Sequence, residues 1–225
     1  MSSLILMRHG QASFGANVYD QLSPIGLEQA RISGNWIKDR PPLFAIWHGP
    51  RERHINTAKE MLALSPEYLS KLQGSYHLDE FSEGEELLAA ASLHFEGEIL
   101  SSLDSSNNSQ LHYYEKTIAE WSNGNLAIPG RSDYSSFRKN IAQWLDSRIN
   151  DQGAPSGRVE LAVTSAGVIC AAVCDALNLP NHQWLSLMKV IKNASFTEFV
   201  FSNGRCSLRS FNETGHLPPE IFSSI

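Results

Sequence analysis

The residues best suited to chemistry open the chain: Leu4-Ile5-Leu6-Met7 is a short apolar run that stops at Arg8-His9-Gly10. An arginine grips phosphate oxygens with two parallel N–H bonds. A neutral histidine beside it can serve as nucleophile, base or acid near pH 7. Glycine allows a tight turn and close backbone approach. Together they suit phosphoryl chemistry. Three further groups of the same kind follow: His48 to Arg53, Glu80, and Ser165 in Thr164-Ser165-Ala166-Gly167. Each stands just after a stretch that reads as a β-strand, and open α/β sheets bind ligands at the carboxyl ends of their strands.

The elements that must position them are legible from pattern. Strands are expected at about 3–7, 44–47, 76–78, 158–164, 194–202 and 206–211. Ser23-Pro24 caps a helix that Pro41-Pro42 must end. Further helices are expected over about 52–64, 85–103, 110–121, 133–150 and 167–177, with a solvated loop at 104–109. The last helix is apolar nearly all round and therefore buried; Cys170 and Cys174 fall within it as small core residues. Strands alternating with helices predict a three-layer α/β/α architecture on a mostly parallel sheet. Residues 1–225 are expected to form one domain, with 84–130 as a helical lid inserted after the third strand. The segment 212–225 reads as an irregular, exposed tail.

Composition narrows the function classes. The chain has 225 residues, a formal net charge of -6, 42% hydrophobic and 19% charged residues. This is ordinary for a globular protein, and without a Lys/Arg block nucleic acid is not an expected partner. No apolar stretch is long enough for a bilayer and no signal-peptide pattern precedes the first strand, so no membrane partner is expected. Three cysteines make no disulfide framework; a cytoplasmic location is the expectation. No metal-ligand spacing occurs, so no cofactor is expected.

The four segments, in order, resemble the histidine phosphatase superfamily, the phosphoglycerate mutase-like fold. Arg8-His9-Gly10 is similar to its signature. Leu22-Ser23-x-x-Gly26-x-x-Gln29-Ala30 is similar to its next element. Pro50-x-x-Arg53-x-x-x-Thr57-Ala58 resembles the stretch Ser-Pro-Leu-x-Arg-Ala-x-x-Thr-Ala, and Leu78-x-Glu80-x-x-x-Gly84 resembles the general-acid segment. The resemblance implies a phosphatase acting on a small phosphorylated substrate. His9 is its nucleophile, forming a phosphohistidine; Arg8 and Arg53 clamp phosphate; Glu80 is the general acid and base. Positive charge from the arginines would keep His9 neutral. Ser13, Asn17 and His48 are weaker phosphate-binding candidates. Arg51, the neighbouring cation, reads as a surface residue.

The sequence departs from this family at one point. A second histidine normally follows the fourth core strand, and here Ser165 stands in its place. Losing one charged donor at the phosphoryl group costs about 3–4 kcal/mol, on the order of 10²–10³ in rate. Ser165 is a neutral phosphate-binding candidate, helped by His48 or by N–H groups of the following helix. Alternatives remain: a degenerate pseudo-enzyme that binds a phosphorylated ligand, a mutase, or a serine hydrolase using Ser165 with His182 or His216. The mutase relatives carry a longer, more basic first loop, whereas no Lys or Arg separates Arg8 from Arg31. The aromatic, weakly basic lid suits apolar leaving groups better than polyphosphates.

Overall fold

A computed structural model describes residues 1–13, 20–95, 107–202 and 204–224. Its elements run β1 (Ser2–Arg8), α1 (Pro24–Lys38), β2 (Leu43–His48), α2 (Glu52–Leu62), β3 (Leu72–Gly74), α3 (Gly84–His94) and α4 (Asn107–Ser122). They continue as α5 (Tyr134–Ile149), β4 (Val159–Thr164), α6 (Ala166–Ala176), α7 (His182–Met188), β5 (Phe196–Ser202) and β6 (Arg205–Glu213). The described strands form one sheet in the order β3-β2-β4-β1-β5-β6. β1 pairs parallel with β4, β4 with β2, and β2 with β3, while β5 pairs antiparallel with both β1 and β6. The sheet is therefore mostly parallel, as the alternating pattern requires.

β1 is buried along its whole length, and the two-residue period of a strand divides it between two cores. Leu4 and Leu6 face a large cluster built with Trp121, Phe137, Trp144 and the apolar helix α6. Ile5 and Met7 face a second cluster with Ile37 of α1 and Met61 of α2. With both faces covered, the exposed working edge is the carboxyl end, where β1, β2 and β4 deliver Arg8, His48 and Thr164. The register pairs Arg8 with Thr164, so His9 and Ser165 emerge level with each other.

The first loop is held by backbone approaching backbone. A Cβ on Gly26 would stand 2.1 Å from the Gln11 carbonyl oxygen, and one on Gly10 2.4 Å from that of Gly26. Ser23 Oγ caps α1 by accepting from Gly26 N–H at 3.1 Å and donates to Gln11 Oε1 at 2.7 Å, while Gln29 Oε1 accepts from Gln11 N–H at 2.8 Å. The Leu22-Ser23-x-x-Gly26-x-x-Gln29 pattern is thus a clamp on the chain leaving His9. Gly26→Ala is expected to destabilise the fold by about 1–3 kcal/mol, as overpacking does, read as a lower denaturation midpoint. A wild-type midpoint in that variant contradicts the close packing.

Several expectations change. The third strand lies at Leu72–Gly74, not at Tyr76-His77-Leu78, which form a single 3-10 turn. Ser75 N–H donates to the His48 carbonyl and ends the pairing there, and Leu78 then turns inward to the large core. α3 ends at His94, α4 begins at Asn107 inside the expected loop, and α7 was not anticipated. The segment after β6 is pinned rather than loose: Asn193 N–H donates to the Ser223 carbonyl, and Gln29 Nε2 to that of Ile221 at 2.7 Å. Among the described residues no helix is long and apolar enough to cross a membrane.

Candidate active site

His9 is fixed from three sides. Its N–H donates to the Thr164 carbonyl at 2.9 Å, its carbonyl accepts from Ala194 N–H at 3.2 Å, and its Nδ1 lies 2.7 Å from the Gly10 carbonyl. A carbonyl only accepts, so Nδ1 carries the proton and Nε2 keeps its lone pair. Gly10 N–H donates to Thr57 Oγ1 at 3.0 Å, and Thr57 Oγ1 donates to the Arg53 carbonyl at 2.6 Å. The spacing Arg53-x-x-x-Thr57 therefore ties the turn of β1 to the first turns of α2. Burial, then the charges of Arg53 and Arg8, hold the His9 imidazole well below its usual pKa, so it is neutral.

Both arginines are buried and positioned by the fold. Arg8 Nη1 donates to the carbonyls of Ile191 at 2.7 Å and Ser224 at 2.8 Å, so the chain's last segment forms one wall beside it. Arg53 Nη1 donates to Asp20 Oδ1 at 2.7 Å and Glu83 Oε1 at 3.1 Å. Arg51 is not a surface residue: it is largely buried and ion-paired with Asp79 and Glu83. The acidic loop around Glu80 is thus committed to cations, since Glu86 in turn pairs with Arg131 at 2.8 Å.

Glu80 stands apart from those pairs. Its Oε1 accepts from Phe81 N–H at 3.0 Å and its Oε2 from Gly167 N–H at 3.1 Å, in the first turn of α6. A Cβ on Gly167 would stand 2.2 Å from Glu80 Oε1, so that glycine makes room for the carboxyl group. The expectation that this helix start offers its N–H groups to phosphate is revised, because Glu80 already takes the Gly167 N–H. Next to it Phe81 stacks on Trp121 with centroids 4.7 Å apart, and Trp184 of α7 donates to the Gly167 carbonyl at 2.9 Å. The aromatic cluster keeps the Glu80 segment in place. Burial raises the Glu80 pKa against those hydrogen bonds and the charges of Arg53 and Arg8. A carboxyl group with a raised pKa and an imidazole with a lowered one are shifted in the directions that an acid–base pair requires.

The remaining candidates are placed as follows. His48 Nδ1 lies 2.8 Å from the Gly49 carbonyl, and a Cβ on Gly74 of β3 would stand 3.3 Å from its Cε1. Ser13 N–H donates to the Gln21 carbonyl at 2.7 Å. Asn17 lies outside the described residues. Ser165, 1% exposed, has its Oγ 2.6 Å from Nε2 of His54, a residue the sequence reading passed over. The signal for it was present: the family stretch has alanine after its arginine, and here that position is His54. His216, the other imidazole considered for Ser165, instead meets Ser33 Oγ at 3.1 Å, where burial lowers its pKa to about 4. Among the described residues no group of three or more His, Cys, Asp or Glu side chains is arranged to hold a metal ion.

The family model described as histidine phosphatase superfamily (branch 1) matches residues 104–214. Over that span, just under half of the chain, the sequence is similar to the histidine phosphatase superfamily. Solved structures share its architecture across nearly the whole chain. A phosphoserine phosphatase from Entamoeba histolytica, in complex with 3-phosphoglyceric acid, aligns with a TM-score of 0.66 at 21% identity, over 97% of this chain and 100% of that one. YhfR of Bacillus stearothermophilus aligns with a TM-score of 0.70 at 14% identity, over 96% and 99%. An alpha-ribazole phosphatase from Shigella flexneri gives 0.65 at 17%, over 94% and 96%. At these identities the likeness is one of fold. By sequence, the mitochondrial serine/threonine-protein phosphatase PGAM5 of Homo sapiens is 40% identical over 62 residues, which is 27% of this chain and 21% of that protein. The match spans about a fifth of that relative's length.

Proposed function

We propose that this chain is a member of the histidine phosphatase superfamily and a metal-independent phosphatase, hydrolysing a small phosphate monoester through a phosphohistidine on His9. The observation that carries the reading is the Nδ1 contact of His9 with Gly10, which leaves Nε2 as a free nucleophile in a neutral ring between two arginines. In the first step Nε2 attacks phosphorus and the bond to the leaving oxygen breaks. Glu80 gives that oxygen its proton, and the products are phosphohistidine and an alcohol. In the second step Glu80, now a carboxylate, takes a proton from water as its oxygen attacks phosphorus; the P–N bond breaks and phosphate leaves. Charge on the equatorial oxygens is met by Arg8 and Arg53. These guanidinium groups supply the positive charge that a metal supplies elsewhere. Free thiols at Cys170, Cys174 and Cys206 support a reducing, cytoplasmic setting.

Trapping tests the reading. Brief incubation with a ³²P-labelled aryl phosphate and acid-free denaturation is expected to leave acid-labile phosphate on His9. A protein that neither traps phosphate nor hydrolyses any ester of a broad panel is the binding-only relative that the missing second histidine would allow.

The pH profile gives a second test. The first step needs His9 neutral and Glu80 protonated. The His9 pKa is lowered, so protonation of the nucleophile sets an acid limb well below pH 6.5. The Glu80 pKa is raised, so the general acid survives above the ordinary carboxylate range and its loss sets the alkaline limb. We expect kcat/KM to peak on the acid side of neutrality. Glu80→Gln is expected to lower it about 10²-fold for alkyl esters, less for p-nitrophenyl phosphate, whose leaving group needs little protonation, and to erase the alkaline limb. An unchanged limb in that variant assigns the acid elsewhere.

A further inference from the structure

His54 is fully buried on the first turn of α2, and its ring centroid lies 5.5 Å from that of His9 at a tilt of 39°. Its Nε2 is 2.6 Å from Ser165 Oγ, and its Nδ1 has no hydrogen-bond partner among the described residues. The chain makes room for this ring: a Cβ on Gly49 would stand 2.2 Å from Nδ1. Ser165 precedes α6 in the capping position, yet its side chain makes no cap hydrogen bond, and its described partner is His54. Register brings Ser165 level with His9, across the β1–β4 pair.

Two departures from the family pattern are therefore one exchange. The position after the arginine gains an imidazole where the family has alanine, and the position after β4 loses one. We infer that His54 and Ser165 act as a unit in place of the second histidine, with the Ser165 hydroxyl donating to a phosphoryl oxygen and His54 holding that hydroxyl in the donating orientation. The hydrogen-bond arithmetic favours this direction. With the proton on Nε2, the imidazole donates to Oγ, and the serine O–H is released to point at an acceptor in front of His9. Nδ1 is then a bare acceptor, which matches its lack of a partner; a proton there would be a buried donor with nothing to meet. Burial and the positive charges nearby, on Arg53 and Arg51 among others, keep the ring neutral in the free protein. Ser165 is the catalytic residue of this pair and His54 its positioning residue.

A histidine 2.6 Å from a serine oxygen is also the geometry of a serine nucleophile and its base. Two observations oppose that use: among the described residues Nδ1 meets no hydrogen-bond partner, and so no carboxylate to orient the ring, and Ser165 sits in ordinary extended backbone at φ −108 and ψ 168 instead of a strained elbow.

The inference rests on the phosphatase reading, and a double-mutant cycle keeps the two separable. Turnover of p-nitrophenyl phosphate and calorimetric affinity for orthovanadate are measured for wild type, His54→Ala, Ser165→Ala, the double alanine variant, and His54→Ala/Ser165→His. We expect each single alanine variant to lose about 10- to 100-fold in kcat with little change in KM, and the double variant to lose no more than either alone. The transplant His54→Ala/Ser165→His should recover most of the loss, which a purely structural role of His54 does not predict. Additive losses, or a transplant no better than His54→Ala, overturn the inference while leaving the phosphatase intact. A wild type without turnover overturns the phosphatase reading instead, and vanadate affinity unchanged by the single variants then overturns the pair as well. Labelling of Ser165 by an organophosphate, with turnover surviving in His9→Ala, replaces both with a serine hydrolase.

Discussion

His9→Ala is expected to lower turnover by about 10⁴-fold or more and to abolish the acid-labile phosphate adduct, while leaving the protein folded. Removal of a nucleophile costs this much because the stepwise route through a covalent intermediate disappears, and only binding and electrostatic stabilisation remain. The fold should tolerate the change because the main-chain bonds of His9, to Thr164 and Ala194, do not involve the ring. The side chain itself gives up the Nδ1 contact with Gly10 and its approach to His54, so stability should fall by about 1–2 kcal/mol. Thermal unfolding, far-ultraviolet circular dichroism and vanadate affinity separate loss of chemistry from loss of structure. Residual activity within tenfold of wild type would move the nucleophile elsewhere, and the hydroxyl of Ser165 beside His54 is the first place to look.

The parts of this site that could be read from sequence are those carried by short, local patterns. Arg8-His9-Gly10 announces itself because a buried strand must end where charge begins. Arg53 is found through its spacing to Pro50 and Thr57, and the structure gives that spacing a cause: Thr57 hydrogen-bonds both Arg53 and Gly10. Glu80 was legible as a carboxyl group but its surroundings were not, because Gly167 and Trp184 come from far along the chain to join it and its neighbour Phe81. The same limit hid the fate of Arg51, whose partners Asp79 and Glu83 lie across a loop. It also hid the closing segment: Ser224 reaches Arg8 only because β5, β6 and a 3-10 turn bring the chain back.

His54 is the instructive miss. A histidine within an amphipathic helix reads as an ordinary polar position, and the pattern around Arg53 accounted for its neighbours without it. What gives it meaning is a second residue 111 positions away, Ser165, 2.6 Å from its ring. A motif that lacks one residue and another that gains the same residue type are, separately, two irregularities. The parallel β1–β4 pairing and the packing of α2 against β4 turn them into one compensated site. The third strand failed for a different reason. Three residues on an edge are too few for periodicity to place, and Leu78, apolar for the sake of the core, imitates a strand position.

Arg53 is expected to be the second most costly residue to lose, and its loss has a signature that the others lack. Arg53→Ala removes one of two guanidinium clamps, for which about 10³-fold in kcat is the expected loss. It also leaves Asp20 and Glu83 without the cation they share, next to the place where a dianionic phosphate must arrive. KM should therefore rise as well, since Asp20 loses its ion pair, Glu83 keeps only its pairing with Arg51, and the negative charge so released repels the substrate. Breaking an ion pair around a side chain only 4% exposed is costly, but both partners retain contact with water, so about 2–3 kcal/mol of stability is the expectation. The decisive readout is pH. Arg53 is the larger of the two charge effects that hold the His9 pKa down. Without it imidazolium is less disfavoured, the His9 pKa rises, and the acid limb of kcat/KM moves to higher pH. Arg53→Lys keeps a charge but not the bidentate grip; it should lose less of the rate and shift that limb less. If the acid limb stays where it is in Arg53→Ala, the group titrating there is not a histidine under the influence of Arg53, and His9 loses its claim to be the nucleophile.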